Sequence, residues 1–285
     1  MTTVTDVIYE ARTLLGAGSE RLDELATDVT SSDTQLTLSH SIAGVNTGAR
    51  LELRPASGSE VVHVWTADED SLEVTIRRGI EGSPVSASIG DLVAINPRVS
   101  DVELLVAVGA VVRDLPGNGL YALQTATLTY DVVSEAWDLS DLTDLVHPYA
   151  VVLDVADRPT TIYEWRREND KLRPVGIDPA PYSATLLYRG TFSEVTSASQ
   201  DLTNDLGLPD YGTDVVATGA AMRVAARLES VRNAPWAQQT ARRAEDVPPS
   251  AGLRTRAGLE AEFQRLLGSA RRRQMQLWPP RIEMR

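Results

Sequence analysis

The residues with the chemistry that catalysis most often uses are clustered carboxylates and three scattered histidines. Carboxylates crowd ADED at 67–70 and DLSDLTD at 138–144, and paired acids can act as general acid and base when burial separates their pKa values. Both segments have a turn-like composition, so we expect solvated loops. His40, His63 and His147 lie far from any metal-binding spacing, and the chain has no cysteine. We therefore expect no catalytic residue, no metal site and no cofactor.

One glycine-rich segment, GNGLYA at 117–122, fits the loose G-x-G-x-x-[GA] pattern of dinucleotide-binding loops. Such a loop follows a strand and opens a helix. Here the preceding segment has a helical pattern and the following one a strand pattern, which is the reverse order. We expect a simple turn at this position. The sequence contains no G-x-S-x-G nucleophile motif either.

Charge is distributed unevenly along the 285 residues, whose net charge is -13. Residues 1–222 hold 14 basic against 34 acidic side chains, whereas residues 223–285 hold 13 against 6. The acidic body argues against wrapping nucleic acid, because phosphate binding requires a high density of cations. The basic end suits an acidic protein surface or a nucleic acid, and a solvated helix face is the alternative. No run of about 18 apolar residues occurs, so we expect no membrane span.

Short runs in which apolar and polar residues alternate dominate two regions and predict small antiparallel sheets. Between residues 29 and 98 the runs are TQLTLS, ARLELR, EVVHVW, LEVTIRR and DLVAI. Between residues 120 and 198 they are LTYDVV, YAVVLDV, TTIYEWRRE, KLRPVG and SATLLYRGTFSEV. Hairpin turns are expected at ADEDS (67–71) and ENDK (168–171). Trp65 and Trp165 lie in strand patterns that predict burial in a core.

Four segments have the apolar periodicity of helices: 3–15, 101–114, 213–232 and about 255–275. Capping-box spacing supports the first two, at Thr3 with Asp6 and at Ser100 with Glu103. The third helix is rich in alanine and glycine, and small side chains allow another helix to approach closely. Along one face of it, residues Val216, Ala220, Val224 and Leu228 recur at intervals of four.

The order of these elements predicts an α+β fold. The first and second helices bracket one β-rich region, and the second and third bracket the other. The economical architecture is a four-helix bundle with two inserted antiparallel β-modules and an extended C-terminal tail. Its parts are a discontinuous helical bundle (1–22, 100–116 and 208–275), a first β-module (23–99), a second β-module (117–207) and a docking tail (276–285).

The end of the chain combines basic, aromatic and proline residues in a way that favours a docking role. Trp and Arg are the residue types enriched at interface hot spots. The candidate docking residues are Arg271, Arg272, Arg273, Leu277, Trp278, Pro279, Pro280, Arg281 and Ile282. A tail folded back on its own helices is the alternative interpretation.

Several segments resemble structural proteins of tailed bacteriophages. LEVTIRRGIEGSPVSASIGDLVAI (72–95) resembles a virion module in which a strand ends in an RG-x-x-G-[ST] turn and a glycine step leads into another strand. Ser88 stands where that module often has a histidine. Four further segments resemble, in order, head–tail adaptor (connector) proteins of actinobacterial phages and prophages: TIYEWRRENDKLRPVGID, GLPDYGTDVVATGAAMRVAARLESVR, ARRAEDVPPSAGLRTRA and LWPPRI. The resemblance covers most of the chain.

The resemblance implies a virion protein without enzymatic activity, assembled in the host cytoplasm and located at the neck. Adaptors of this type form a ring, usually of twelve copies, beneath the portal protein. They hold the tail or the next neck protein, and DNA passes through the ring without sequence-specific binding. The resemblance further implies that the helix bearing Val216, Ala220, Val224 and Leu228 packs side by side with its neighbours, and that residues 271–285 dock on the portal. No membrane partner is implied.

Two other functions remain open on the sequence alone. A tail or baseplate component could use the same β-module with a different partner and symmetry. A tail-associated carbohydrate-binding or hydrolytic protein is the other alternative, and the hydrolytic form would need a cleft with convergent carboxylates. The helical C-terminal third argues against that alternative.

Overall fold

The computed structural model describes residues 2–16, 20–155, 158–162, 164–176, 178–179, 182–232 and 251–277. Within these residues the chain forms 14 strands in three sheets, one of them a half-barrel, and four helices that make the chain 29% helical. The expectation of a four-helix bundle with β insertions is therefore wrong. The described chain is mostly β, and its sheets bury two hydrophobic cores of their own beside the helical one.

The first sheet contains six strands in the order β1-β6-β3-β4-β5-β2, and all of its pairs are antiparallel. Its core consists of the apolar residues that alternate along these strands, together with apolar residues of the connecting loops. The boundary expected after residue 22 falls inside the first strand. The six strands are β1 (Arg21–Glu24), β2 (Gln35–Thr37), β3 (Arg50–Arg54), β4 (Glu60–Asp68), β5 (Glu73–Glu81) and β6 (Leu92–Ile95).

The ADEDS hairpin turn between β4 and β5 is confirmed. The Asp68 carboxylate accepts hydrogen bonds from the backbone N–H of Asp70 at 3.1 Å and from the Ser71 hydroxyl at 2.9 Å. The ENDK turn is confirmed as well, since the next hairpin turns at 169–170. The burial expected for Trp65 is wrong, because a register shift between Val64 and Thr66 leaves Trp65 as an extra residue whose side chain is 66% exposed.

The RG-x-x-G-S motif at 78–83 has a structural explanation. The guanidinium of Arg78 lies 2.6 Å from the fully buried carboxylate of Glu60 and also donates to the carbonyls of Thr30 and Val85. Gly82 has a φ of +83°, and a Cβ there would lie 2.9 Å from the Ser59 carbonyl oxygen. The arginine thus fastens two loops to the sheet, and only glycine fits the turn.

Two four-stranded antiparallel sheets follow and share one core. The second sheet has the order β11-β10-β14-β7, with β7 (Ala122–Leu128), β10 (Leu145–Val155), β11 (Arg158–Ile162) and β14 (Ser183–Gly190). The third has the order β12-β13-β9-β8, with β8 (Tyr130–Asp131), β9 (Ala136–Asp138), β12 (Trp165–Glu168) and β13 (Lys171–Pro174). Trp137 from the third sheet is fully buried against the second, and Trp165 is half-buried at the edge of this core.

The four predicted helical segments are helices, and their cores merge into one cluster. They are α1 (Val4–Leu14), α2 (Asp101–Asp114), α3 (Thr213–Arg232) and α4 (Ala251–Leu277). Both capping boxes are present, at Thr3 with Asp6 and at Ser100 with Glu103. Helix α4 extends beyond the expected 255–275 at both ends. Helix α3 contacts each of the other three and lies at the centre of the cluster.

Candidate functional site

The candidate site is the C-terminal half of α4, which carries the described part of the docking segment. One face of this helix is buried against α3, through Leu259, Phe263, Leu267 and Ala270. The spacing of these residues by three and four positions follows the helical period, so one apolar stripe suffices to hold the helix. The opposite face remains in solvent and is free to contact another molecule.

Gln274 fixes the end of this helix to the residue just before β7. Its side chain is almost fully buried, and its amide makes two hydrogen bonds with the backbone of Tyr121. The N–H of Tyr121 donates to Oε1 at 3.2 Å, and Nε2 donates to the Tyr121 carbonyl oxygen at 2.6 Å. Because this buried amide both donates and accepts a hydrogen bond, it fixes the register of the helix and prevents its last turns from sliding.

The three arginines of the docking segment differ in environment. Arg273 places its guanidinium carbon 5.3 Å from the centre of the Tyr211 ring, a cation–π arrangement. Arg271 is half-buried against Gly119, where a Cβ would lie 3.3 Å from the arginine Nε. Gly119 has a φ of +75° and ends a short 3-10 helix, which confirms the turn expected at GNGLYA. Arg272 is exposed.

An apolar and basic surface results at this end of the molecule. Met275 is half-exposed and Leu277 is 60% exposed, next to Arg272 and Arg273 on the last turns of α4. We call these four residues the docking surface. The remaining candidate docking residues lie outside the residues that the structure describes: Trp278, Pro279, Pro280, Arg281 and Ile282.

The residues expected on a ring-packing face lie inside the chain's own helical core. Val216 and Ala220 are fully buried and Val224 nearly so, and Leu228 packs partly buried against the same cluster. Close approach between helices does occur at α3, but the partners are α1, α2 and α4 of the same chain. This face of α3 is therefore not available for contact with another copy of the chain.

The carboxylates of the two acidic segments serve local structure. Asp138 accepts a hydrogen bond from the N–H of Ser140 at 2.9 Å, and Asp144 accepts from the Tyr188 hydroxyl at 3.1 Å. The Tyr188 hydroxyl oxygen also lies 2.7 Å from Gln124 Oε1, so the carboxylate and the amide oxygen share its single proton. Desolvation, together with the charge and hydrogen bond of Asp144, raises the pKa of Tyr188 to about 12.

A buried carboxylate lies elsewhere, between the first sheet and the helices. Desolvation raises the pKa of Glu52, which is fully buried. Its carboxylate accepts hydrogen bonds from Arg54 at 2.6 Å and from the N–H of Asp101. Arg54 also lies 2.9 Å from Glu20, and Arg12 pairs with Asp101. Glu52 thus joins α1, α2 and β3 and is occupied by structural partners.

The histidines lie in three different settings. His40 Nδ1 lies 2.9 Å from the Asp23 carboxylate, and His147 packs edge-on to the Tyr121 ring at 5.6 Å between centroids. His63 pairs across the sheet with Arg50 and Arg77. Among the residues that the structure describes, no three His, Asp or Glu side chains are placed to hold a metal ion.

Two surface features were not predicted from the sequence patterns. A cleft of about 640 Å³ opens between α2 and the extended segment 191–195. Val132 and Val133, part of the expected strand LTYDVV, lie instead on the exposed turn between β8 and β9. The polar Ser134 and Glu135 directly after the two valines are the signal that marks a turn there.

Comparison with protein-family models and with curated proteins found no match to this chain. None of the helices in the described parts of the chain is both long and apolar enough to cross a membrane.

Proposed function

We propose that the chain is a structural, non-enzymatic protein of a tailed-phage virion. In this proposal it forms a ring at the neck, usually of twelve copies in such adaptors, and joins the portal protein to the tail or to the next neck protein. The ordered resemblance of five segments to phage proteins supports it. So does the structural role of the motif residues, since Arg78 and Gly82 stabilise the first sheet and no ligand is needed to explain them.

The docking surface at the end of α4 is the observation that carries the proposal. It combines Arg272, Arg273, Met275 and Leu277, and both arginine and methionine are enriched in interface cores. Gln274 and the Arg273–Tyr211 contact hold the helix end in place. A surface that is ordered before binding loses less conformational entropy when a partner arrives.

The charge of the molecule supports a position around DNA. Residues 1–222 carry 34 acidic against 14 basic side chains. Acidic surfaces repel the phosphate backbone, so DNA can move past them without being held. The excess of basic side chains is confined to residues 223–285, where the proposed portal contact lies.

Deletion of residues 276–285 tests the portal contact. The deletion keeps Gln274 and the buried face of α4, so the chain should fold. We expect the truncated chain to bind immobilised portal protein about 30-fold more weakly, the effect of losing one hot-spot residue worth ~2 kcal/mol. A full-length chain with exposed Ile89 replaced by serine is the matched control. Full portal binding by the truncated chain would contradict the proposed contact.

A further inference from the structure

The turn between β8 and β9 places apolar side chains in solvent. Val132 is 68% and Val133 95% exposed, at positions where polar residues or glycine are usual. Val175 is exposed as well, and the antiparallel pairing of Leu172 with Trp137 brings it to the same end of the third sheet. We call Val132, Val133 and Val175 the valine tip. None of the three valines belongs to the hydrophobic cores of the described residues.

The valine tip is held in a fixed shape. The Asp131 carboxylate accepts a hydrogen bond from the N–H of Val133 at 2.9 Å. Hydrogen bonds from Ser134 and from the Val133 backbone lower the pKa of Asp131, so the carboxylate is ionised at neutral pH. Glu135 closes the turn with a left-handed φ of 51°. An apolar surface that is already ordered binds with little further loss of entropy.

The cleft beside α2 is a mainly apolar recess, complementary to the projecting valine tip. Most of its lining residues are apolar, and Gly109 of α2 faces Val195 across it, where a Cβ on the glycine would lie 3.6 Å from Val195 Cβ. Val106 stands exposed at the rim. The charged lining residues are Arg113 on α2 and Glu194 on the opposite wall. The apolar lining residues are Leu105, Val106, Gly109, Ala110, Val112, Phe192 and Val195.

We propose that the valine tip of one copy of this chain inserts into the α2 cleft of the next copy. A second copy is the occupant because every copy supplies both an exposed apolar projection and an apolar recess to receive it. Charge fixes the direction of entry. Asp131 and Glu135 beside the tip are opposite in sign to Arg113 and equal in sign to Glu194, so the acidic side of the tip faces α2.

A contact between two different surfaces of identical chains is head-to-tail, and such contacts generate closed rings when the rotation between copies closes. The proposed contact would therefore join neighbouring subunits of the ring. That the ring closes rests on the proposed function. The proposed contact also replaces the α3 face, which is buried within the chain, as the contact between subunits.

Disulfide trapping tests the contact on the full-length chain, because the chain has no cysteine of its own. We would mix Val133→Cys protein with Val106→Cys protein of a different tag size under mild oxidation. We expect mixed dimers to form at least about tenfold faster than between Val133→Cys and Ile89→Cys proteins, since disulfides require Cβ atoms within about 4.5 Å. A chain carrying both Val133→Cys and Val106→Cys should give a ladder of higher multimers.

Two outcomes would overturn the inference. One is a rate equal to that of the Ile89→Cys control. The other is a fast disulfide within a single chain carrying Val106→Cys and Met284→Cys, which would assign the cleft to the chain's own tail. If either occurs while deletion of residues 276–285 still weakens portal binding, the neck role stands and only this subunit contact fails.

A charge exchange provides a second readout. Arg113→Glu and Glu135→Arg should each slow the formation of Val133–Val106 dimers, and the two changes together, on opposite partners, should restore it. A structural defect in either variant would not be corrected by the other, because the two changes are carried by different molecules and lie on different elements, α2 and the turn between β8 and β9. Failure of the pair to restore the rate would contradict the assigned orientation.

Discussion

Two tryptophans in strands show what the alternation of apolar and polar residues predicts about burial and what it does not. Trp65 and Trp137 both lie in β-strands, yet Trp65 is largely in solvent and Trp137 is fully buried, edge-on to Tyr130 at 5.8 Å between ring centroids. Alternation identifies the two faces of a strand but does not reveal a bulge, since a bulge depends on the partner strand.

Replacement of each tryptophan by alanine should separate the two environments. We expect Trp137→Ala to lower the free energy of unfolding by about 3–5 kcal/mol, as for large core aromatics. Trp65→Ala should change it by less than about 0.5 kcal/mol, as for exposed positions. Urea unfolding followed by circular dichroism measures both. Similar losses in the two variants would contradict the assigned burial.

The raised pKa of Tyr188 predicts that the stability of the fold depends on pH in alkaline solution. Because its pKa is raised from 10 to about 12 in the folded chain, the folded state keeps the proton while the unfolded state releases it near pH 10. The stabilisation from the neutral hydroxyl is therefore complete below pH 10 and is lost as the pH rises toward 12. We expect the difference in unfolding free energy between wild type and Tyr188→Phe to narrow over this interval.

Ultraviolet difference spectra should show the same group directly. The chain has eight tyrosines, and the Tyr188→Phe variant should lack an ionisation step near pH 12. A stability difference that stays constant between pH 10 and pH 12 would show that the Tyr188 hydroxyl is not protected by Asp144 and its surroundings.

At the scale of elements, the close packing of the helices depends on Gly219, where α2, α3 and α4 converge. A Cβ on Gly219 would lie 3.0 Å from Phe263 Cε2 and 3.0 Å from both methyl carbons of Val111. Gly109 on α2 offers a contrast, because its Cβ would meet Val195 at an ordinary 3.6 Å. Replacement of glycine by alanine should therefore destabilise the fold at position 219 and stabilise it at position 109.

We expect Gly219→Ala to lower the free energy of unfolding by about 1 kcal/mol, because the overpacking cost of roughly 1–3 kcal/mol exceeds the gain in helix propensity. Gly109→Ala should raise it by about 0.5–1 kcal/mol, the usual advantage of alanine inside a helix. Thermal and urea unfolding of the two variants side by side provide the measurement. A gain in stability for Gly219→Ala would contradict the close approach of the three helices.

The elements were largely predictable, and their assembly was not. Capping residues and hairpin turns act over three or four positions, so Thr3, Ser100 and Asp68 show their role in the sequence itself. Strands β1 and β9 are only four and three residues long and leave too little periodicity to detect. The bundle was expected because helical stripes are conspicuous, whereas the pairing of distant strands leaves no local signal. Within the candidate site, the arginines are conspicuous in the sequence as a basic cluster, whereas Gln274 is not, because its partner is the backbone of Tyr121.

At the scale of the whole molecule, the proposed ring predicts a fixed copy number. Quantitative mass spectrometry of purified virions should find one copy of this chain per copy of the portal protein, because a matched ring places one adaptor beneath each portal subunit. A different integer ratio would place the chain in the tail or baseplate. Absence of the chain from virions would reject the structural role altogether.

The path of the chain through the helical core also determines when that core can form. Helix α1 is held by the segment that precedes α3, with Val4 donating to the Gln200 carbonyl at 3.0 Å and the Thr5 hydroxyl donating to the carbonyl of Ala198, 193 positions later. On the ribosome, α1 therefore emerges long before its partners, while the first sheet can close from residues already synthesised. The helical core is completed only by α4, the last of the described elements. Under the proposed function, the docking surface would form only after α4 has been synthesised, so the order of synthesis would keep assembly from beginning on a partly made chain.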